Sequence, residues 1–165
     1  MRRTEIIQQK IYTHEELIRR IAQVRMAGKT VSFTNGCFDI LHRGHIASLS
    51  EAAAESDFLV VGVNSDASTK RLKGPGRPVN DEKSRSILLA SLLMTDAITI
   101  FEEDTPLELI KALKPDVLVK GGDYRLDQIV GAKEVREYGG RVVINPIVEG
   151  FSTTSTIENI TKKNL

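Results

Sequence analysis

The sequence predicts an α/β fold, an open parallel sheet of about five strands with helices on both faces. Three observations carry that expectation. Short β-favouring runs recur along the 165 residues, each separated from the next by a stretch of helical spacing, and parallel strands need such crossovers. The run Phe58 to Val63 is continuously apolar rather than alternating, as in a strand covered on both sides. Gly-, Asn- and Asp-bearing turns follow the strands, at the carboxyl ends where open sheets bind ligands. With 41% hydrophobic and 27% charged residues, a chain of this length can bury one sizeable core. A single domain over 1–165 is expected, with its core at about 28–163 and a helical extension at about 1–28.

Thr13 and Glu16 make a capping-box pattern. Leu17, Ile18, Ile21, Val24 and Ala27 follow with helical spacing, and Gly28 is the stop. Val31 to Phe33 is the first strand and ends in Asn35-Gly36. Gly44 to Glu55 reads as a helix on the spacing of Ile46, Leu49 and Ala53, and Phe58 to Val63 is the second strand. Residues 65–80 carry Gly and Pro and read as a loop. Asp81 caps a helix to Leu93. Ala97 to Phe101 is a strand, Thr105 to Leu113 a helix with Pro106 at its first position, and Val117 to Val119 a strand. A helix at about Ala132 to Tyr138, a strand at Val142 to Ile144 and a last helix after Ser152 complete the series. Residues 1–12 receive no assigned role.

Composition removes several classes of function. Lys plus Arg (23) nearly balance Asp plus Glu (22), aromatics are 5% and Trp is absent, so a nucleic-acid partner is not expected. Cys37 is the single cysteine, which forbids an intrachain disulfide and favours a reducing, cytoplasmic setting. Met1 to Lys10 does not read as a signal peptide. Phe58 to Val63 is too short to span a bilayer, so no membrane partner is expected.

Chemistry-bearing residues gather after the strands. Behind the first comes Thr34-Asn35-Gly36-Cys37-Phe38-Asp39-Ile40-Leu41-His42-Arg43-Gly44-His45, a glycine-bearing turn into a helix N-terminus, which attracts anions. His42 and His45 lie three residues apart, so both can face one ligand. Phosphate contact is the leading reading; a metal pair or two unrelated surface histidines are the alternatives, and no third His lies nearby to complete a zinc set. Behind the second strand, Asn64 and Asp66 lead into Lys70, Arg71, Lys73 and Arg77, four cations with no acid between Ala67 and Asn80. These are either a solvated basic loop or a phosphate-binding one, and Arg85 in the next helix points the same way. Behind the fourth, Lys120-Gly121-Gly122-Asp123-Tyr124 lets backbone approach a ligand closely. There Asp123 either binds ribose hydroxyls or an exocyclic amine, or caps a tight turn. Ser152, Thr153, Thr154 and Ser155 open the terminal helix, as simple N-caps or as a second anion-receiving helix start.

The stretch Gly-Cys-Phe-Asp-Ile-Leu-His-Arg-Gly-His resembles the HxGH signature of the cytidylyltransferase-like nucleotidyltransferases. With RLKGPGRPVN, FEEDTPLELI, PDVLVKGGDY, IVGA and the STT ending, in that order over residues 30 to 160, the chain resembles the heptose 1-phosphate adenylyltransferase family. That family is best known as one half of a bifunctional kinase–adenylyltransferase; here the kinase would be a separate protein acting upstream. The resemblance implies a Rossmann-like fold, a homodimer, and attack of a sugar 1-phosphate on the α-phosphorus of ATP to give an ADP-sugar and pyrophosphate. It implies that His42, His45 and Lys73 are catalytic. The ATP-binding set it implies is Thr34, Asn35, Gly36, Cys37, Phe38, Asp39, Gly44, Lys120, Gly121, Asp123, Ser152, Thr153 and Thr154. Asn64, Asp66, Lys70, Arg71, Arg77 and Arg85 would serve the acceptor, with Asp39 orienting the loop or a ribose hydroxyl. Mg²⁺ would accompany ATP on its phosphates, with no protein cage for a metal. The glycerol-3-phosphate cytidylyltransferases are also similar, in HxGH and EGxST. They typically carry an Arg where this chain has Ile147-Val148, and they lack the RLKGPGRPVN loop. A transferase for another phosphorylated acceptor is therefore the alternative, and a nucleotide-binding protein without turnover a minor one.

Overall fold

The computed structural model describes residues 5–122, 124–146, 150, 153 and 157. Its elements, in chain order, are α1 (Ile6–Gln9), α2 (His14–Met26), β1 (Val31–Gly36), α3 (Arg43–Ala54), β2 (Phe58–Asn64), α4 (Asp66–Lys73) and α5 (Glu82–Ala90). There follow β3 (Ala97–Phe101), α6 (Leu107–Leu113), β4 (Val117–Gly121), a 3₁₀ turn (Leu126–Gln128), α7 (Ala132–Glu137) and β5 (Arg141–Asn145). All five strands are parallel, in the order β3-β2-β1-β4-β5. This is the Rossmann-like α/β sheet the sequence predicts. Among the described residues no helix is long and apolar enough to cross a membrane.

Strand periodicity explains why the sheet is covered on both sides. Phe58 and Val60 of β2 join Phe33 and Leu118 in a core under α2, α6 and α7, supplied by Leu17, Ile21, Val24, Leu109, Ile110, Leu113 and Val135. The intervening Leu59, Val61 and Val63 face the other way, with Val117 and Val119, under Leu49 and Ala52 of α3 and Leu89 and Ala90 of α5. Every residue of β2 is therefore buried, and each such aliphatic contributes about 1.5–3 kcal/mol. At Gly62 a Cβ would sit 2.9 Å from the Phe33 ring, so this central strand has no room for a side chain there.

Helix starts follow the sequence closely. Thr13 and Glu16 form the reciprocal capping box of α2, and Asp81 caps α5 by accepting from the Ser84 amide at 2.8 Å. Ile18, counted among the helical apolar positions, is 43% exposed on the outer face of α2.

Two expectations are corrected. Residues 65–80 are not one loop, since α4 occupies Asp66–Lys73 and only the remainder is irregular. Ser65 caps this helix and Gly74, at φ 90°, ends it. Lys70, Arg71 and Lys73 lie in its last turn, where cations complement the helix dipole. The Gly-Pro-rich segment 74–78 masked that signal. The N-terminal segment also has a structural role. Ile11 bridges Ile98, the Tyr12 amide donates to the Ile98 carbonyl (2.9 Å) and the Ile98 amide to the Lys10 carbonyl (2.7 Å). Residues 10–12 thus cover the outer edge of β3, which would otherwise present unpaired backbone groups.

Candidate active site

The strand order places the site. From β1 the chain winds outward through β2 to β3, then returns to β4 on the opposite side of β1. The crevice between the carboxyl ends of β1 and β4 is thus a switch point of the kind that binds ligands in open α/β sheets. A hollow of about 750 Å³ opens there. Another, of about 800 Å³, lies along α7 between Arg125 and Glu137; it meets none of the β1, β2 or α3 residues and is a surface furrow.

The β1 side carries the histidines. His42 is the N-cap of α3, its Nδ1 accepting from the His45 amide at 3.4 Å. A neutral ring accepting at Nδ1 keeps its proton on Nε2, where it can donate to a ligand. The two imidazoles stack with centroids 3.8 Å apart, and Phe38 packs on His45 at 5.3 Å. Burial lowers the pKa of His42. For His45 burial and the His42 charge push it down to about 4, with the Ile40 carbonyl opposing. Both rings are therefore neutral at pH 7 in the free protein. His45 Nδ1 is buried without a hydrogen-bond partner among the described residues, a cost of about 1–3 kcal/mol.

Asp39 holds the wall together. Its carboxylate is 1% exposed. Oδ2 accepts from Arg77 Nε at 2.5 Å, and Oδ1 from the amides of Val79 and Asn80 at 2.7 and 3.0 Å. Burial pushes its pKa up, but the Asn80 amide, Arg77 and the Val79 amide outweigh that and leave the carboxyl below the usual range. Every Asp39 oxygen is thus engaged in fixing the loop that carries Arg77 to the crevice.

The β4 side contributes Lys120. Its ammonium lies 3.3 Å from Asn35 Oδ1 and 6.0 Å from the Tyr124 ring centroid. Burial lowers its pKa; Cys37 opposes this and the Lys73 charge adds to it. A mostly buried ammonium beside a second lysine, with a neutral amide as hydrogen-bond partner, is a site short of an anion. At the adjacent Gly121, a Cβ would come 2.8 Å from Ser48 Oγ of α3, so strand and helix close tightly beneath the crevice.

The crevice brings together Asn35, Gly36, Cys37, Phe38, Asp39, His42, His45, Asn64, Lys73, Arg77, Lys120, Gly121 and Thr153. Thr153 Oγ1 donates to the Ile40 carbonyl at 3.3 Å, tying that position to the histidine loop. Thr34, Gly44, Asp66, Lys70, Arg71 and Arg85 do not line it. Arg85 is corrected from an acceptor contact to an internal tie. Fully buried, it donates to the carbonyls of Cys37 and Asn80 and to Asp66 Oδ1 (2.8 Å). Arg71 turns outward to Asp104 Oδ1 and the Glu102 carbonyl, both at 2.7 Å, and Lys70 is exposed on α4. The expectations for Asp123, Ser152 and Thr154 fall outside the described residues.

Sequence reading assigned no role to Leu72, Asp104, Thr105, Pro106, Leu118, Tyr124 or Gln128 to Val130, all of which line the crevice. Asp104 to Pro106 follow β3 directly. The strand-end rule could have found them had it been applied to that strand as well.

A cytidylyltransferase-like family model matches residues 33–159. The chain is 58% identical over 139 residues to the bifunctional protein HldE of Mesorhizobium japonicum, covering 84% of this chain and 28% of that one. It is 52% identical over 153 residues to the protein of the same name from Koribacter versatilis, covering 93% and 32%. It therefore spans about a third of the length of these relatives. Among solved structures, it resembles a lipopolysaccharide core biosynthesis protein from Thermoplasma volcanium. The TM-score is 0.60 at 33% identity, over 73% of this chain and 98% of that one. Pantoate-beta-alanine ligase from Francisella tularensis shares the fold, with a TM-score of 0.57 at 17% identity over 92% and 76%.

Proposed function

Because the chain belongs to the cytidylyltransferase-like family of nucleotidyltransferases, we propose that it transfers AMP from ATP to a heptose 1-phosphate, releasing pyrophosphate. The carrying observation is the stacked imidazole pair, one ring with a buried unmet nitrogen, sharing a crevice with Lys73 and Lys120. The motif resemblance supplies the acceptor, and the likeness to a lipopolysaccharide core biosynthesis protein agrees with it.

The chemistry asks little of a base. A phosphate monoester has a second pKa of about 6, so the attacking oxygen is already ionised at neutral pH. One P–O bond forms to the α-phosphorus as the bond to pyrophosphate breaks, and the charges balance without a proton. What remains is to hold two anions in line and offset their repulsion. His42 offers Nε2–H from the helix start, and the His45 ring stacks against it in the same wall. Lys120 and Lys73 supply fixed positive charge, and Arg77 stands beside them, braced by Asp39. Gly36 and Gly121 let backbone close on the phosphates, with Asn35, Cys37, Phe38 and Thr153 completing the ATP side. Mg²⁺ would travel with ATP and screen its phosphates. Among the described residues no His, Cys, Asp or Glu group could hold a metal, and the Asp39 oxygens already accept N–H donors.

In this reading a separate heptose kinase would act upstream of the transfer. The test is pyrophosphate release across a matrix of ATP, CTP, GTP and UTP against heptose 1-phosphate, glycerol 3-phosphate and phosphopantetheine. Turnover greatest with ATP and heptose 1-phosphate is expected. Preference for CTP with glycerol 3-phosphate would overturn the reading, as would nucleotide binding without turnover on any acceptor.

A further inference from the structure

The walls of the crevice differ in chemistry. On the β4 side Leu118, Tyr124, Ile129 and Val130 offer apolar surface, suited to a flat nucleobase. On the β2–β3 side stand Asn64, Lys73, Arg77, Asp104 and Thr105, with Leu72 and Pro106 as the apolar faces. Asp104 is out of place in a pocket that gathers phosphates. A carboxylate there repels them, and its position is not an accident of a mobile side chain.

Three bonds pin the segment that carries it to α4. Ser68 Oγ donates to the Glu103 carbonyl (2.9 Å), Arg71 Nη2 to the Glu102 carbonyl (2.7 Å) and Arg71 Nε to Asp104 Oδ1 (2.7 Å). Oδ2 takes no hydrogen bond among the described residues and is left to accept from a ligand. The same helix carries Lys73 to the crevice, so one rigid element sets the spacing between a phosphate-holding cation and a hydroxyl-accepting acid.

We infer that Asp104 is the specificity-determining residue for the acceptor, taking hydroxyl donors of the sugar while Lys73 holds its phosphate, and that Arg71 is the positioning residue that aims it. This deepens the proposed function and rests on it. It also accounts for the outward turn of Arg71. The cation nearest in sequence to Lys73 serves the acceptor through the acid it holds.

The test compares Asp104→Ala, Asp104→Asn and Arg71→Ala with the parent chain. KM for heptose 1-phosphate and for ATP are measured, together with the inhibition constant of methyl phosphate, which carries the charge but no hydroxyls. The Asp104 side chain is about half exposed, so its replacement leaves folding intact, checked by the melting temperature. Asp104→Ala is expected to raise KM for heptose 1-phosphate about 10- to 100-fold, the size of a hydrogen bond to a charged group. KM for ATP and the methyl phosphate constant stay within about twofold. Arg71→Ala moves the same constant in the same direction by less. An unchanged KM for heptose 1-phosphate in Asp104→Ala overturns the inference alone, as does an equal rise in KM for ATP. A parent chain that turns over no sugar 1-phosphate overturns both this and the functional reading.

Discussion

Replacing Asp39 with Asn tests the brace of the site with almost no change in shape. The carboxylate accepts on both oxygens, Arg77 at one and two amides at the other. An amide has a single acceptor oxygen, so its NH₂ must face one set of donors. Turned toward Arg77, it opposes N–H to N–H and strips an 85% buried guanidinium of its counter-charge, forfeiting a charge-assisted bond worth about 1.5–3 kcal/mol. Turned the other way, it leaves two backbone amides unmet at about 1–3 kcal/mol each. The cheaper orientation costs about 1.5–3 kcal/mol. For a chain of this size, that is a melting temperature lower by roughly 3–12 °C, with a loss of ATP affinity because Arg77 is released. Denaturant unfolding gives the free energy and calorimetric titration the affinity. A variant within about 0.5 kcal/mol of the parent would refute the reasoning. The lowered pKa of Asp39 has a matching signature. The stability it supplies is present above the ordinary value of 3.8 and is lost as pH falls through its folded value.

Other outcomes follow from the same geometry. His45 titrates near 4 when folded and 6.5 when unfolded, so stability falls as pH drops from 6.5 toward 4. The ceiling is about 3 kcal/mol at 1.36 kcal/mol per pKa unit, and the ring's partial exposure brings it to about 1–2; His45→Gln should flatten that slope in pH-dependent unfolding. Bound phosphates favour the protonated imidazoles, so ATP binding at pH 6 should take up protons, read by calorimetry in buffers of different ionisation enthalpy. Lys120→Met should raise the melting temperature, because the ammonium is buried without a carboxylate, while lowering kcat by about 10²–10³; a fall in both would refute its assignment. Deleting residues 1–12 uncovers the outer edge of β3, and concentration-dependent self-association by light scattering is expected.

Local signals were enough for much of the architecture. The capping box at Thr13, the Asp81 cap and the continuous run of β2 each encode their element within a few residues, and the strand-end rule located the histidine loop, Asn64 and Lys120. Short-range reading failed where a residue's role depends on distant partners. Ile11 becomes a strand partner only because Ile98 lies beside it, 87 residues later in the chain. α4 was obscured by the glycines and prolines that end it. Arg71, Lys73 and Arg85 look alike as a basic cluster, yet one clamps Asp104, one lines the crevice and one is wholly buried.

The sequence by itself determined the alternation of strands and helices, the parallel sheet this requires, and the presence of histidines, cations and glycines after the first, second and fourth strands. Only the tertiary structure decided which cations face the crevice and which hold it open. A side chain's charge is a property of its residue, whereas its partner is set by strands and helices that meet across the sheet.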